Sequence, residues 1–131
     1  MDVNEFRTDQ SLEEEGVWVS LDGNGTEIKV ARMNNRAYKK YFQQITKPYK
    51  RLIRNGTLSE DLAEKLLVDA ISHKILLDWK GFTKDGKKYP FSVDHAREFL
   101  AGSADFRDLV TDAANEMEHF RQRELQEATG N

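Results

Sequence analysis

Hydrophobic and polar residues alternate over positions 16–32, the pattern of two strands that bury one face. The apolar positions on that face are Val17, Val19, Leu21, Ile28 and Val30. Between the two runs lies the segment Asp22-Gly23-Asn24-Gly25, and Gly and Asn accept the positive φ angles of tight hairpin turns. The pattern therefore predicts a β-hairpin over residues 16–32, which must pack on the rest of the chain because an isolated hairpin is marginal in water.

The period changes to that of a helix after residue 33. Apolar side chains follow at spacings of four, three, four and three, and they are Tyr38, Phe42, Ile45, Tyr49 and Leu52. Asn34 or Asn35 can cap the start of this helix by accepting a hydrogen bond from a free amide of its first turn. Pro48 lies inside the pattern, where it removes a backbone hydrogen bond, so a kink or a break is predicted near Thr46-Lys47.

Asn55-Gly56 ends that segment, and a second long helix is predicted to reach about Asp78. Thr57 with Glu60 three residues later forms a capping-box pattern, and Ser59 is a competing cap. The apolar face of this helix consists of Leu62, Ala63, Leu66, Leu67, Ala70, Ile71 and Ile75. The later predicted elements are a loop over 81–88 with a turn at Asp85-Gly86, a helix from Ser92 to about Ala101, and a helix from Ser103 or Asp105 to about Glu127.

These elements predict a mainly α fold of about four helices with an N-terminal β-hairpin. A length of 131 residues fits a single domain spanning 1–131. Within that domain we expect a loose arm over 1–12, the hairpin over 16–32 and a helical region over 34–127. The polar, non-periodic character of the first dozen residues is the basis for the arm.

The composition narrows the class of protein. Hydrophobic residues make up 38% and charged residues 33%, which is polar for a globular domain but too apolar for a disordered chain. The chain has no cysteine, which fits a reducing cytoplasm, and its first residues lack the basic and apolar regions of a signal peptide. No apolar run approaches the roughly 18 to 20 residues that span a bilayer, so no membrane partner is expected.

Charge is segregated along the chain. Residues 1–15 carry six acids and one arginine, residues 34–56 carry seven bases and no acid, and residues 102–131 carry seven acids and three arginines. Five of the bases fall at helical spacing opposite the aromatic stripe, and they are Arg36, Lys40, Lys47, Arg51 and Arg54. The alternative is an ordinary solvated face, but such a face usually mixes both signs, so this block is the candidate partner-binding surface.

Aromatic residues gather around the predicted end of the long helix. Trp79 and Phe82 flank Gly81, and Phe91 follows the loop, with Phe106 in the last helix. The favoured interpretation is that Trp79, Phe82, Phe91 and Phe106 anchor the core. The alternative is an exposed aromatic ledge for a partner, since tryptophan and tyrosine are common in interface hot spots.

No catalytic or metal motif emerges from the sequence. Glu116 and His119 have the spacing of a carboxylate-bridged metal helix, but that chemistry needs a second such pair, and none exists. Asp22, Asn24 and Thr26 resemble the start of a calcium loop, but Glu27 stands where a glycine is needed. No phosphate loop or nucleophile elbow is present. We therefore expect no enzyme, no cofactor and no metal.

A family resemblance is carried by motifs in a fixed order along most of the chain. They are Leu12–Val19, Ala31-Arg32, Pro48-Tyr49, Asn55–Leu58, Leu76–Phe82, Pro90–Ser92, Ala96–Leu100 and Asp105–Val110. Each motif alone is unspecific, and their order gives the match its weight. The chain resembles the tail assembly chaperones of long-tailed bacteriophages.

The resemblance implies a protein that coats and solubilises the tape measure protein and helps to recruit tail tube subunits. It also implies action in the host bacterial cytoplasm and absence from the mature virion. Self-association is expected from the charge pattern instead, because an acidic end of one molecule can approach the basic block of the next. The family commonly makes a longer second product by ribosomal frameshifting near the end of the reading frame. The alternative function is a small nucleic-acid-binding regulator that uses the basic helix 36–54. The acidic ends of the chain make a phosphate backbone the less economical target.

Overall fold

The computed structural model describes residues 1–121, which form six α-helices, five β-strands and three short 3-10 turns. The helices are α1 (Gln10–Glu15), α2 (Arg36–Thr46), α3 (Lys50–Arg54), α4 (Glu60–Lys74), α5 (Val93–Gly102) and α6 (Ala104–Asn115). The strands are β1 (Val17–Ser20), β2 (Glu27–Val30), β3 (Leu76–Lys80), β4 (Thr83–Lys84) and β5 (Lys87–Lys88). The 3-10 turns span Val3–Phe6, Lys47–Tyr49 and Met117–Phe120.

The predicted hairpin is present as β1 and β2, which pair antiparallel with Val17 opposite Val30. The side chain of Asp22 organises its turn by accepting hydrogen bonds from the backbone amides of Asn24 at 2.8 Å and Thr26 at 3.2 Å. The Asn24 amide is the main cause of a lowered pKa for the Asp22 carboxyl. A carboxylate that accepts hydrogen bonds from two backbone amides stabilises a turn, which explains the aspartate at this position without a bound calcium ion.

The mainly α prediction is wrong, because strands occur in the region that was expected to be helical. The long helix predicted to reach about Asp78 ends at Lys74, and residues 76–80 form β3. This strand pairs antiparallel with β2, with Trp79 opposite Ile28, and completes a sheet of order β1-β2-β3. From the sequence alone, a short apolar run can be either the end of a helix or a buried strand. In the structure, the edge of β2 supplies hydrogen-bond partners for the backbone of this run.

The predicted loop after Gly81 is also partly β-structure. β4 and β5 form a small antiparallel hairpin with Lys84 opposite Lys87. Asp85 and Gly86 both have positive φ, 53° and 79°, and they form the turn at the position that the sequence indicated. The fold is therefore an α/β mixture with strands in both halves of the described chain.

Helix boundaries follow local capping chemistry. Asn35, Ser59, Ser92 and Ser103 each accept a hydrogen bond from a first-turn amide of α2, α4, α5 and α6, respectively. The competing cap Ser59 is used in place of the capping box that begins at Thr57. Of the kink or break predicted near Thr46-Lys47, the structure has the break, because α2 ends at Thr46 and a 3-10 turn containing Pro48 follows.

The two ends of the described chain differ from the predictions. The last helix ends at Asn115 and not near Glu127, because Glu116 turns extended and a 3-10 turn buries Phe120 completely. The predicted end of that helix lies outside the described residues.

The segment expected to be a loose arm contains the 3-10 turn Val3–Phe6 and the start of α1, which Asp9 caps. The Asp9 amide donates to the carbonyl oxygen of Phe120 at 2.7 Å, and Thr8 forms an isolated bridge with Arg121. A long-range contact of this kind leaves no periodic signal in the sequence.

The hydrophobic core lies between the sheet and the helices α4, α5 and α6. Its fully buried large side chains include Ile28, Val30, Ile71, Ile75, Leu76, Leu100, Val110 and Phe120. α4 lies at the centre, since it packs against α2, α5 and β3. Among residues 1–121, no helix has the length and hydrophobicity needed to cross a bilayer.

Candidate partner-binding surface

The orientation of α2 is fixed by its cap and by its aromatic face. The Asn35 side chain accepts from the Tyr38 amide at 2.9 Å and donates to the Arg32 carbonyl at 2.8 Å. Tyr38 is buried and stacks on Phe42 with the ring centroids 5.8 Å apart. Because these rings face α4 and the core, the lysines on the opposite side of α2 face solvent.

The break after α2 gathers three lysines around a shallow cleft. The hydroxyl of Thr46 donates to the Phe42 carbonyl at 2.7 Å, which satisfies the last turn before the chain changes direction. The cleft has a volume of about 490 Å³ and is lined by Lys40, Gln43, Gln44, Thr46, Lys47 and Lys50. The side chains from α2, the 3-10 turn and α3 thus meet at one concave site with three positive charges and two amides.

α3 extends this positive region and adds apolar side chains to it. Leu52 is 39% exposed and Ile53 is 45% exposed, and each lies beside an exposed arginine, Arg51 or Arg54. Leu52 ends the apolar stripe that begins at Tyr38, but it lies on α3, beyond the 3-10 turn that contains Pro48. Large exposed apolar residues within a charged rim are typical of protein-binding surfaces.

We define the basic surface as the seven cations of α2, the 3-10 turn and α3 together with the two exposed apolar residues. Its members are Arg36, Lys39, Lys40, Lys47, Lys50, Arg51, Leu52, Ile53 and Arg54. All five sequence-predicted partner residues belong to it. Only Arg36 has an ion pair within residues 1–121, to Glu14 at 3.2 Å, so the other six cations keep their charge available.

The N-terminal acidic block is partly engaged inside the molecule. Glu13 accepts hydrogen bonds from the guanidinium of Arg32 at 2.8 Å and from the hydroxyl of Thr8, and Glu14 pairs with Arg36. These contacts hold α1 against the chain between β2 and α2. Glu13 and Glu14 are therefore engaged within the molecule.

The four predicted aromatic anchors meet in one cluster centred on Trp79, which is 5% exposed. The rings of Phe82, Phe91 and Phe106 contact its indole edge-on, with centroids 5.5, 5.1 and 6.4 Å away. Phe99, which the sequence reading did not single out, stacks on Phe106 at 3.6 Å. In the sequence, its position beside Leu100 in the short predicted helix was the feature that could have indicated a core role for Phe99. The cluster joins β3 to α5 and α6 inside the domain.

A polar network that the sequence reading missed ties three helices together beside a groove of about 620 Å³ between α4 and α5. The Tyr41 hydroxyl donates to Asp69 at 3.2 Å and lies 3.1 Å from the Nδ1 of His73. Arg97 reaches the same carboxylate at 3.4 Å. Burial, and then the charge of Asp69, raises the pKa of Tyr41. The network fixes α2 and α5 on α4.

The histidines are explained by local contacts. The His95 ring stacks on Tyr89 with centroids 4.3 Å apart, and its Nδ1 lies 2.7 Å from the Pro90 carbonyl. Glu116 stands at the exposed end of α6, and His119 lies in the following turn against Phe120. Over the described part of the chain, no three His, Asp or Glu side chains form a group that could hold a metal ion.

Comparison with known families adds a decisive observation. A family model described as YdaY prophage protein matches residues 33–131, about three quarters of the chain. The chain belongs to the YdaY prophage protein family. It is therefore a phage-derived protein, which agrees with the phage origin that the resemblance implied but does not specify tail assembly. No curated protein and no solved structure matches the chain.

The YdaY match begins immediately before α2 and includes the whole basic surface. The β1–β2 hairpin precedes the matched residues, although Ile28 and Val30 are fully buried and β2 pairs with β3. The matched region of this YdaY-family chain therefore contains β3 but not β2, the strand of the hairpin that pairs with it.

Proposed function

We propose that this YdaY-family protein is a phage tail assembly chaperone that binds the tape measure protein through the basic surface. It would act in the infected cell as a binding protein without catalysis, recruit tail tube subunits and be absent from the finished virion. The observation that carries the proposal is the set of six cations without an ion pair in the described chain, on the same run of elements as the exposed Leu52 and Ile53. The ordered motifs of the sequence and the prophage family support it.

The chemistry of this surface fits an acidic amphipathic helix. Exposed charge pairs contribute only about 0.2–1 kcal/mol each, so they would set register and association rate more than affinity. Burial of one leucine or isoleucine contributes about 1.5–3 kcal/mol, so Leu52 and Ile53 would supply the larger share. A tape measure protein offers a long helical rod, and many copies of a small domain can cover its apolar stripes.

The test is co-expression with a tape measure protein, a long helical protein, from a long-tailed phage. We expect the wild-type chain to keep that protein soluble and to purify with it. The variant Lys47→Glu/Arg51→Glu/Arg54→Glu should lose both properties. The control Lys87→Glu/Lys88→Glu changes exposed lysines of the β4–β5 hairpin and should behave as wild type. If the wild type neither solubilises nor retains the long protein, the chaperone proposal is wrong.

Nucleic-acid binding is the second candidate, because the same unpaired cations would neutralise phosphates. Lys40, Lys47 and Lys50 line a concave site, which suits an anion. A mobility-shift assay with duplex DNA at rising salt decides between the two. Binding that weakens steeply with salt and disappears in the Lys47→Glu/Arg51→Glu/Arg54→Glu variant would favour a regulator.

A further inference from the structure

The outer face of α6 is the chemical complement of the basic surface. α6 buries Phe106, Val110 and Ala114, which follow one another at a spacing of four. The opposite face carries four acids and one apolar side chain, all exposed. We define them as the acidic stripe, whose members are Asp105, Asp108, Leu109, Asp112 and Glu116. Their spacing of three, one, three and four keeps them on one side of the helix and its C-terminal end.

The charges of the acidic stripe are available to a partner. Within residues 1–121 none of its four carboxylates forms an ion pair, although the helix contains a basic residue, Arg107. That guanidinium turns inward, where it pairs with Glu64 at 2.9 Å and donates to the Leu100 carbonyl at 2.9 Å. Leu109 is 39% exposed in the middle of the stripe, as Leu52 and Ile53 are within the basic surface.

The two complementary surfaces lie on different elements of one molecule. α3 contacts the 3-10 turn that precedes it, whereas α6 packs on α5 and β2. We infer that the acidic stripe of one copy docks on the basic surface of the next copy, so that the protein associates head to tail. The occupant of the basic surface in the free protein is then a second copy of this chain. This inference shares its surface with the proposed function but requires no tape measure protein.

Head-to-tail contact has a consequence for stoichiometry. A contact between two different surfaces leaves one free surface at each end, so association continues into an open chain or closes into a ring. A helical client with acidic and apolar side chains competes with the acidic stripe for the same site. Client binding should therefore break up assemblies of the free protein.

The first experiment measures sedimentation velocity of purified protein at low salt over a range of concentrations. The wild type should form species larger than a dimer, which dissociate as salt shortens the range of the charge interactions. Asp108→Lys/Asp112→Lys should be monomeric, and so should Arg51→Gln/Arg54→Gln. Asp105 is left unchanged because an acid in the first turn also stabilises the helix.

Matched controls distinguish an effect of the two surfaces from an effect of the net charge of the protein. Glu5→Lys/Glu15→Lys changes the charge by the same amount as Asp108→Lys/Asp112→Lys, at exposed positions outside α6. Lys87→Gln/Lys88→Gln likewise matches Arg51→Gln/Arg54→Gln, at exposed positions outside α3. Both controls should assemble as the wild type does. Circular dichroism of every variant should show the helical content of the wild type, which excludes misfolding as the cause of a monomer.

Mixing the two interface variants gives the decisive result. Asp108→Lys/Asp112→Lys retains a basic surface, and Arg51→Gln/Arg54→Gln retains an acidic stripe. An equimolar mixture should form a one-to-one heterodimer and nothing larger, because each partner lacks the surface needed for extension. A wild-type protein that stays monomeric at low salt, interface variants that still assemble, or a mixture without heterodimer would overturn the inference.

The same variants distinguish this inference from the proposed function. Asp108→Lys/Asp112→Lys should still bind and solubilise the long helical protein, since its basic surface is intact. Self-association without client binding would overturn only the chaperone proposal. Client binding by a wild-type protein that remains monomeric would overturn only the head-to-tail contact.

Discussion

The indole N–H of Trp79 donates a hydrogen bond of 2.7 Å to the main-chain carbonyl oxygen of Tyr89. The bond connects the last strand of the three-stranded sheet to the segment that leads into α5. The Tyr89 ring also stacks on the indole with centroids 5.6 Å apart. One side chain thereby fixes the β4–β5 hairpin and the start of α5 against β3.

Replacement of Trp79 by alanine should lower the free energy of unfolding by about 3–5 kcal/mol, since a large buried aromatic is lost and the Tyr89 carbonyl loses its donor. That is a large share of the roughly 5–15 kcal/mol that holds a domain together. Urea denaturation followed by circular dichroism measures the loss. Trp18 is the matched control, because it is 39% exposed and lies under the ammonium of Lys80 at 4.2 Å.

Trp18→Ala should cost only about 0.5–1 kcal/mol, the value of an exposed cation–π contact. Equal unfolding midpoints for the wild type and Trp79→Ala, combined with lost partner binding, would show that Trp79 acts as a surface ledge.

Gly81→Ala should destabilise the protein more than Gly86→Ala does. Both glycines have positive φ, 86° and 79°, so each variant bears the cost of about 1–2 kcal/mol for an L-residue in the left-handed region. A Cβ at Gly81 would lie 2.7 Å from the Gly25 oxygen and 2.9 Å from the Thr26 Cα, whereas one at Gly86 would meet nothing within 4 Å. The added backbone clash should cost about 1–3 kcal/mol more. Thermal melts of the two variants make the comparison, and similar melting temperatures would contradict it.

The Glu98 carboxylate should titrate below its usual range. The Lys84 ammonium at 2.9 Å is the largest cause of its lowered pKa, and the Tyr89 hydroxyl at 3.2 Å follows. The Glu98 pKa is lower in the folded protein than in the unfolded chain. The pair's contribution to stability is therefore complete above the pKa of the unfolded chain, and it is lost as the pH falls through the pKa of the folded protein. Carboxyl-carbon NMR titration should give a higher Glu98 pKa in Lys84→Met than in wild type. An unchanged value would show that the pair does not form in solution.

Leu52→Ser/Ile53→Ser should change the free energy of unfolding in urea by no more than about 0.5 kcal/mol per residue, since both residues are substantially exposed. The same change should weaken self-association and client binding, because it removes the apolar part of the basic surface and leaves every charge in place. Sedimentation velocity and co-purification measure the two effects. A large loss of stability would mean that α3 packs on the domain more closely than its exposure indicates.

Local chemistry in the sequence was sufficient for several boundaries. The Asn35 and Ser92 caps, the break at Pro48 and the turn at Asp85-Gly86 each depend on groups within a few residues of one another. Hydrogen bonds of this kind form whatever the rest of the chain does, so pattern reasoning finds them. The basic surface could be predicted for a similar reason, because its charges follow one another along one segment of the chain.

Long-range pairing was the part that the sequence did not reveal. Leu76–Lys80 is a strand because β2 lies beside it, and the apolar run Ile75-Leu76-Leu77 suits a helix end equally well. The exposure of Leu52 depends on the direction that α3 takes after the break. The acidic stripe was visible only as net charge until α6 showed which of its acids share a face.

The backbone bond between Asp9 and Phe120 has a consequence for the order of folding. More than a hundred residues separate these partners, so the contact closes nearly the whole described chain into a loop and bears the entropy of that closure. It can form only after the sheet and α6 have brought both segments to one place. The described ends should therefore open first in native-state hydrogen exchange, with the Asp9 amide exchanging well before that of Ile71 at the centre of α4.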